Sequence, residues 1–298
     1  MSPDRRRVLG GAGALAVAGA LGACAAFERP QPWEPRLAGD TLALLGEVHD
    51  NREVHRRRMA SLRRAVHAGW RPAIVMEQFD ADRQGDIDRA RRERPGDSRF
   101  LIEQATGGGR SGWDWEFYQP LIDLALAFQL PLAAGNLPRA EAMRLVREPI
   151  SVVLGDERTR RLGLDAPLDD AWQAAQEREI DDGHCGALPR AMFAGMARAQ
   201  AARDAQMAMV MREHATRGVV LIAGNGHVRR DLGVPRWLQA VPAARVFTVG
   251  FVERDTGTPI GPAQYDAVVL ARREKRGDPC EGLRKRVKPP AVPPAASA

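Results

Sequence analysis

Short apolar runs that alternate with helical segments are the feature that most constrains the fold of this chain. Each of the first four runs is followed directly by Gly or Glu. Strands that are apolar on both faces are typical of a parallel sheet between two layers of helices. We therefore predict an α/β domain with a mainly parallel sheet and helices on both faces. The predicted strands are 41–45, 73–76, 131–134, 219–223, 245–252 and 267–271.

The predicted domain extends from residue 40 to residue 272 of the 298 and contains a helical insertion. Residues 139–216 are rich in Ala, Met and Arg, with a break near Gly183 to Pro189. The part from about 150 to 216 is too long for a simple crossover between strands. We expect it to cap the sheet or to form a dimer surface.

The N-terminus has the composition of an export signal. Three arginines, Arg5 to Arg7, precede an uncharged run from Leu9 to Leu21. This order predicts a signal peptide over residues 1–23, and the Arg pair favours the twin-arginine type. The ending Leu-Gly-Ala-Cys resembles a lipobox, which would make Cys24 the lipidated residue. The alternative is an ordinary cleaved signal with an incidental Cys.

The expected location is therefore the periplasm, with a lipid anchor to the membrane. Ala25 rather than Asp follows the Cys, which favours the outer membrane. Residues 24–39 are predicted to be a tether. The formal charge of +6 is concentrated in the tail. Residues 273–298 are basic and rich in Pro and Ala, which predicts disorder and no nucleic-acid partner.

The three cysteines do not form a disulfide framework. Cys185 is either a buried thiol or paired with Cys280 in an oxidising periplasm. We favour the thiol.

Two segments of the form Gly-x-x-His follow predicted strands and end in His49 and His227. Glu47 lies two residues before His49, and Glu77 directly follows the second strand. The carboxyl ends of parallel strands meet at one edge of a sheet, where α/β proteins bind ligands. We expect these four side chains to converge there.

Two imidazoles and two carboxylates suit iron, manganese or cobalt. The same cluster could activate a metal-bound water, with Glu47 or Glu77 as the catalytic base. His55, six residues after His49, would add a ligand or a supporting hydrogen bond.

Five motifs together resemble the ChaN-like haem-binding uptake proteins, which belong to a superfamily with the Tiki and TraB proteins and the erythromycin esterases. The motifs are LLGEVHDN at 44–51, MEQFD at 76–80, HCG at 184–186, QAARDAQMA at 200–208 and AGNGHVRRD at 223–231. The resemblance implies an envelope lipoprotein that binds haem or iron in iron uptake. It also implies an outer-membrane receptor and a homodimer with haem at the interface.

The resemblance directs attention to further side chains that could hold haem. No Cys-x-x-Cys-His motif is present, so haem would be bound without a covalent link. An axial phenolate could come only from Tyr118 or Tyr265. The remaining candidates are the histidines 49, 55, 184 and 227 and, for the propionates, Arg203, Arg139, Arg229 and Arg230.

The resemblance also implies an ancestral metal-dependent hydrolase site at Glu47, His49, Glu77 and His227. A hydrolase of peptide or ester bonds, using manganese, cobalt or iron, is therefore the alternative function.

Overall fold

A computed structural model describes residues 29–108, 112–255, 260–278 and 280–281. Its centre is a six-stranded sheet in which every neighbouring pair is parallel, in the order β3-β2-β4-β1-β5-β6. The predicted α/β fold with a parallel sheet is confirmed. The strands are β1 (Leu42–Glu47), β2 (Ala73–Asp80), β3 (Leu132–Asn136), β4 (Val219–Gly224), β5 (Val246–Glu253) and β6 (Ala267–Ala271).

The register of the central strands places polar residues at one edge of the sheet. Gly46 and Glu47 at the end of β1 pair with Ala223 and Gly224 at the end of β4. Met76 of β2 pairs with Ile222, so Glu77 comes to the same level. The strands are buried along nearly their whole length. The apolar side chains of these strands therefore lie inside the domain. The polar residues lie at the carboxyl edge of the sheet, which we call the rim.

One face of the sheet is covered by four helices. They are α1 (Arg52–His67), α2 (Gln84–Glu93), α3 (Ser98–Ala105) and α4 (Trp115–Ala127). Asn51 begins α1 by accepting a hydrogen bond from the Val54 amide, a capping contact that satisfies a free amide of the first turn. A break at Pro95-Gly96 separates α2 from α3.

The opposite face is covered by the long helix α9 (Phe193–Glu213). Met207, Ala208 and Met211 of α9 pack against β1, β2 and β4 in one apolar cluster. Four further helices precede α9 and form a separate small core with its other side. They are α5 (Arg139–Leu145), α6 (Ile150–Leu154), α7 (Asp156–Arg161) and α8 (Asp170–Gly183). The last part of the predicted insertion is thus the crossover helix between β3 and β4.

A four-residue helix, α10 (Asn225–Val228), follows β4 and brings the total to ten α-helices among the described residues. Asn225 links α10 to β5 through both groups of its side-chain amide, which bond the Phe251 carbonyl and amide. A Cβ at Gly46 would lie 2.2 Å from the Asn225 side-chain oxygen. The glycine at the end of β1 therefore leaves room for this link.

The predicted tether differs from the structure in its second half. Trp33 packs against Phe247 and Phe251, and Leu37 is buried. Glu34 accepts hydrogen bonds from Ser61 and Arg64 of α1. Burial of large apolar side chains is favourable in free energy, so residues 33–37 pack against the domain.

The preference for a Cys185 thiol is wrong: Cys185 and Cys280 form a disulfide with a Cα–Cα distance of 5.7 Å. The pairing, across a separation of 95 residues, is the alternative that the sequence left open. The predicted signal peptide, Cys24 and residues 282–298 lie outside the described residues. In the part of the chain that the structure describes, no helix is long and apolar enough to cross a membrane.

Candidate functional site

The structure brings Glu47, His49, Glu77 and His227 to the rim, as two neighbouring groups. Glu47 and His49 form one group at the end of β1, and Glu77 and His227 form the other at the ends of β2 and β4. Gly224 separates them. A Cβ at Gly224 would lie 2.9 Å from His49 Nε2 and 3.6 Å from Glu77 Oε2.

Glu47 is a buried carboxylate surrounded by donors. Its Oε1 accepts hydrogen bonds from His49 Nδ1 at 2.7 Å, from Gln78 at 3.2 Å and from the Tyr118 hydroxyl. Its Oε2 pairs with the buried guanidinium of Arg58. Burial lowers the pKa of Arg58 to about 10, which leaves it charged at neutral pH. The pairing of opposite charges is what makes a buried carboxylate tolerable.

His49 is the member of the cluster that solvent can reach, with 45% of its side chain exposed. Because Glu47 accepts at Nδ1, that nitrogen carries the proton and Nε2 keeps its lone pair. No described residue makes a hydrogen bond or ion pair with Nε2. The Trp113 ring lies edge-on to the imidazole at 4.8 Å. Burial on its inner side lowers the pKa of His49, which favours the neutral form.

His55 holds the backbone of His49 in place. Its Nε2 donates to the His49 carbonyl at 2.9 Å, and its Nδ1 accepts from Arg58 at 3.1 Å. The ring is buried and stacks on Phe117 with centroids 4.6 Å apart. Burial lowers the pKa of His55. His55 therefore supports the site from behind and is not presented to a ligand.

The second group is a buried charge network. Glu77 Oε1 accepts from Arg203 at 2.8 Å and lies 3.4 Å from His227 Nε2, while Oε2 accepts the Gly224 amide at 2.7 Å. His227 Nδ1 donates to Asp204 at 2.6 Å. Arg203 also donates to Asn136 at 2.9 Å. Strands β2, β3 and β4 and helix α9 are tied together at this point.

The charges of this network determine its protonation. Burial alone would lower the pKa of His227, but the carboxylates of Glu77 and Asp204 raise it to about 9. Burial alone would raise the pKa of Glu77, yet His227, Arg203 and His49 hold it far below its ordinary value. His227 is therefore an imidazolium at neutral pH, with both nitrogens protonated, and it is a poor metal ligand in this state.

The other predicted ligands lie elsewhere or are already engaged. His184 ends α8, where its Nδ1 bonds the Ile180 carbonyl at 2.7 Å. The Tyr118 hydroxyl is buried against Glu47, and burial raises its pKa well above the ordinary value. Tyr265 packs its ring on Gly250. Neither phenol is presented as an axial ligand.

Among the predicted propionate partners, Arg203 is paired with Glu77. Arg229 is paired with Glu179 and Asp231, and Arg230 with Asp266. Arg139 is exposed at the start of α5.

Sequence reasoning missed Arg58, Gln78 and Asp204 as members of the site. Asp204 lies inside the QAARDAQMA motif, on the buried side of an Ala-rich helix, which is an unusual place for a carboxylate. Arg58 lies three residues after His55 on the buried face of α1. Both are charged residues that lie three or four positions from apolar residues of the same helix, which is the signal that could have found them.

Within the described ranges, no three or more His, Cys, Asp or Glu side chains are grouped so that they could hold a metal ion. Arg58 and Arg203 already neutralise Glu47 and Glu77. The predicted four-ligand site for iron, manganese or cobalt has no support in this geometry.

The fold and the rim together define an α/β protein with an all-parallel sheet and a reachable imidazole set against buried, charge-paired carboxylates. Residues 34–238 match the family described as haem-binding uptake, Tiki superfamily, ChaN. The chain belongs to this family, as its motifs suggested.

Two solved structures illustrate the likeness. ChaN of Campylobacter jejuni, described with cofacial haem binding, is 17% identical, with a TM-score of 0.62 over 78% of this chain and 87% of that one. A mutant of the erythromycin esterase EreC in its open conformation is 14% identical, with a TM-score of 0.40 over 74% and 71%. The first likeness shows a shared fold. No curated protein matches the chain.

Proposed function

We propose that this protein binds haem at the rim, with His49 as the ligand to the iron. The observation that carries the proposal is the state of the His49 ring. Its Nδ1 is held by Glu47 at 2.7 Å, and its Nε2, on a half-exposed side chain, has no hydrogen-bond partner among the residues that the structure describes. A histidine that ligates a metal usually donates its other ring N–H to a carboxylate, which orients the ring and strengthens the ligand.

The surroundings of His49 suit a porphyrin better than a bare ion. The Trp113 ring is half-buried beside the imidazole and offers an apolar surface. A single protein ligand is enough for haem iron, because the porphyrin supplies four nitrogens. The buried carboxylates are already paired with arginines, which weighs against a site for a bare metal ion. A haem site does not need them, because the porphyrin supplies the other ligands.

The family and its solved member support the same ligand. The family is described as haem-binding uptake, and ChaN of Campylobacter jejuni is described with cofacial haem binding. Iron uptake in the cell envelope is the physiological role that follows. The proposal includes a lipid anchor at Cys24 in the outer membrane, a receptor there as partner, and a homodimer that encloses haem.

Titration with haemin, followed by the Soret band, tests the binding. The full chain is expected to sharpen and shift this band, and His49→Ala to weaken binding at least tenfold. His67→Ala is the matched control, because His67 is exposed at the end of α1. Unchanged haemin spectra with the wild-type chain would remove the proposal. Equal binding by wild type and His49→Ala would remove His49 as the ligand.

Labelling with a fatty acid tests the anchor. Cells that express the full chain are expected to incorporate labelled palmitate into it, and Cys24→Ser is expected to abolish the label. Label retained by the Cys24→Ser variant would place the acyl group elsewhere.

One observation favours the alternative function, a metal-dependent hydrolase. The His227–Asp204 hydrogen bond beside Glu77 resembles an acid–base arrangement. Hydrolysis of ester or peptide substrates that depends on added manganese or cobalt, and is lost in Glu77→Gln, would favour it. The same assay without turnover would leave haem binding as the function.

A further inference from the structure

The segment 272–278, called the C-terminal strap, lies against the turn that follows His49. Asn51 donates to the Arg272 carbonyl at 2.8 Å, and the Arg52 amide donates to Glu274 at 3.2 Å. Arg276 pairs with Asp50 at 2.7 Å and with Glu253 at 2.7 Å. The strap is thus held at the residues directly after the proposed haem ligand.

The strap is anchored at both ends. It leaves β6, the outermost strand of the sheet, at residue 271. Two residues beyond it, Cys280 is bonded to Cys185, which follows α8 in the opposite helical layer. The segment therefore crosses the rim from one side of the sheet to the other and borders the surface around His49.

The strap carries cations that nothing in the described structure neutralises. Arg272, Arg273 and Lys275 are exposed, and their side chains have no ion-pair partner among the described residues. Arg203, Arg229 and Arg230 are all paired. The Arg52 guanidinium lies over the Phe117 ring at 5.3 Å. The strap therefore adds unpaired positive charges to the segment that contacts residues 50–52.

We infer that the C-terminal strap binds the carboxylate groups of the porphyrin, using Arg273 and Lys275, and that the Cys185–Cys280 disulfide holds it in position. This inference rests on the proposed haem site. A haem molecule has an apolar body that suits the Trp113 side of the rim and two propionates that require cations at its edge. The strap supplies those cations on a segment that is bonded to the residues directly after the iron ligand.

Comparison of haemin with its dimethyl ester tests the inference, because esterification removes both carboxylate charges. Both are titrated in the same dilute detergent. Arg273→Gln/Lys275→Gln is expected to weaken haemin binding by a factor of roughly 2 to 30, the range for two exposed ion pairs, and to leave the binding of the ester unchanged. The control Arg92→Gln/Arg99→Gln removes two exposed charges on α2 and α3 and is expected to change neither affinity.

A second variant examines the anchor. Cys185→Ser/Cys280→Ser is expected to lower the ratio of haemin affinity to ester affinity, as Arg273→Gln/Lys275→Gln does, because the disulfide no longer fixes the end of the strap.

The outcomes separate the inference from the proposed function. If the wild-type chain binds neither compound, the haem site itself is wrong. If it binds haemin and Arg273→Gln/Lys275→Gln binds haemin equally well, only the strap inference is overturned. Equal loss of affinity for both compounds in that variant also overturns it, because the effect would then not depend on carboxylates.

Discussion

At the scale of single residues, Gly224 determines where the His49 imidazole can lie. A Cβ at this position would come within 2.9 Å of His49 Nε2 and 3.0 Å of Cε1. Such distances require the ring to move, since real Cβ atoms essentially never approach other atoms so closely. Gly224→Ala is therefore expected to lower haemin affinity several-fold, as measured by Soret titration.

Gly226→Ala provides the matched control for this change. A Cβ at Gly226 meets no other atom within 4 Å, although the residue lies only two positions further along the chain. We expect this variant to bind haemin with the same affinity as the wild-type chain. Equal binding by both alanine variants would show that the His49 ring is not constrained by Gly224.

The charge on His227 predicts how stability depends on pH. Its pKa is about 9 in the folded chain, above the ordinary value of 6.5. The resulting contribution to the free energy of unfolding is complete below about pH 6.5 and is lost as the pH rises through 9. At about 1.4 kcal/mol per pKa unit it is of the order of 3 kcal/mol.

Urea unfolding at pH 6.5 and pH 9.5 measures this contribution. The wild-type chain is expected to lose stability between the two values, and His227→Gln to lose much less. A parallel decline in both proteins would mean that other groups cause it.

The convergence of these side chains at the rim could be predicted for a physical reason. Polar residues after apolar parallel strands come to the carboxyl edge of the sheet, so His49 and His227 could be placed together from their positions directly after predicted strands. Their different states could not be foreseen. The proton on His227 depends on Glu77 and Asp204. The orientation of His49 depends on Glu47, which is held by Arg58. These groups meet only through tertiary packing.

At the scale of elements, α9 depends on a close approach to the end of α5. A Cβ at Gly195 would lie 1.9 Å from the Val146 carbonyl oxygen, which belongs to the backbone and cannot rotate away. Gly195→Ala is expected to lower the free energy of unfolding by about 1–3 kcal/mol, the cost typical of overpacking. Equilibrium unfolding in urea measures the change.

Gly85→Ala in α2 is the corresponding control. It replaces a helical glycine whose Cβ would meet open space. A small gain in stability, about 0.4–1 kcal/mol, is expected from the reduced freedom of the unfolded chain. If the two variants were equally stable, α5 and α9 would not be in contact at Gly195.

All six strands could be predicted from short apolar runs in the sequence. The role of α9 could not. Its apolar residues are spread around the helix, because it packs on the sheet with one side and on α5 to α8 with the other. A helix buried on both sides has no clear polar face that would indicate its neighbours.

At the scale of the whole molecule, the Cys185–Cys280 disulfide joins the C-terminal segment to the helical layer across a separation of 95 residues. A cross-link that closes a loop near 100 residues long stabilises by about 4–5 kcal/mol in the chain-entropy description. Cys185→Ser/Cys280→Ser is expected to lose a few kcal/mol of unfolding free energy. Dithiothreitol is expected to lower the free energy of unfolding of the wild type by a similar amount, because it reduces the disulfide. It is expected to leave the stability of the variant unchanged.

The same disulfide has a mechanical consequence. Strands β4, β5 and β6 all lie between the two cysteines. Tension applied to the chain ends passes covalently from residue 185 to residue 280 through the sulfur atoms. While the bond is intact, a force applied to the C-terminus is transmitted through the disulfide to the end of α8. Strands β4, β5 and β6 then carry none of this force along their backbone.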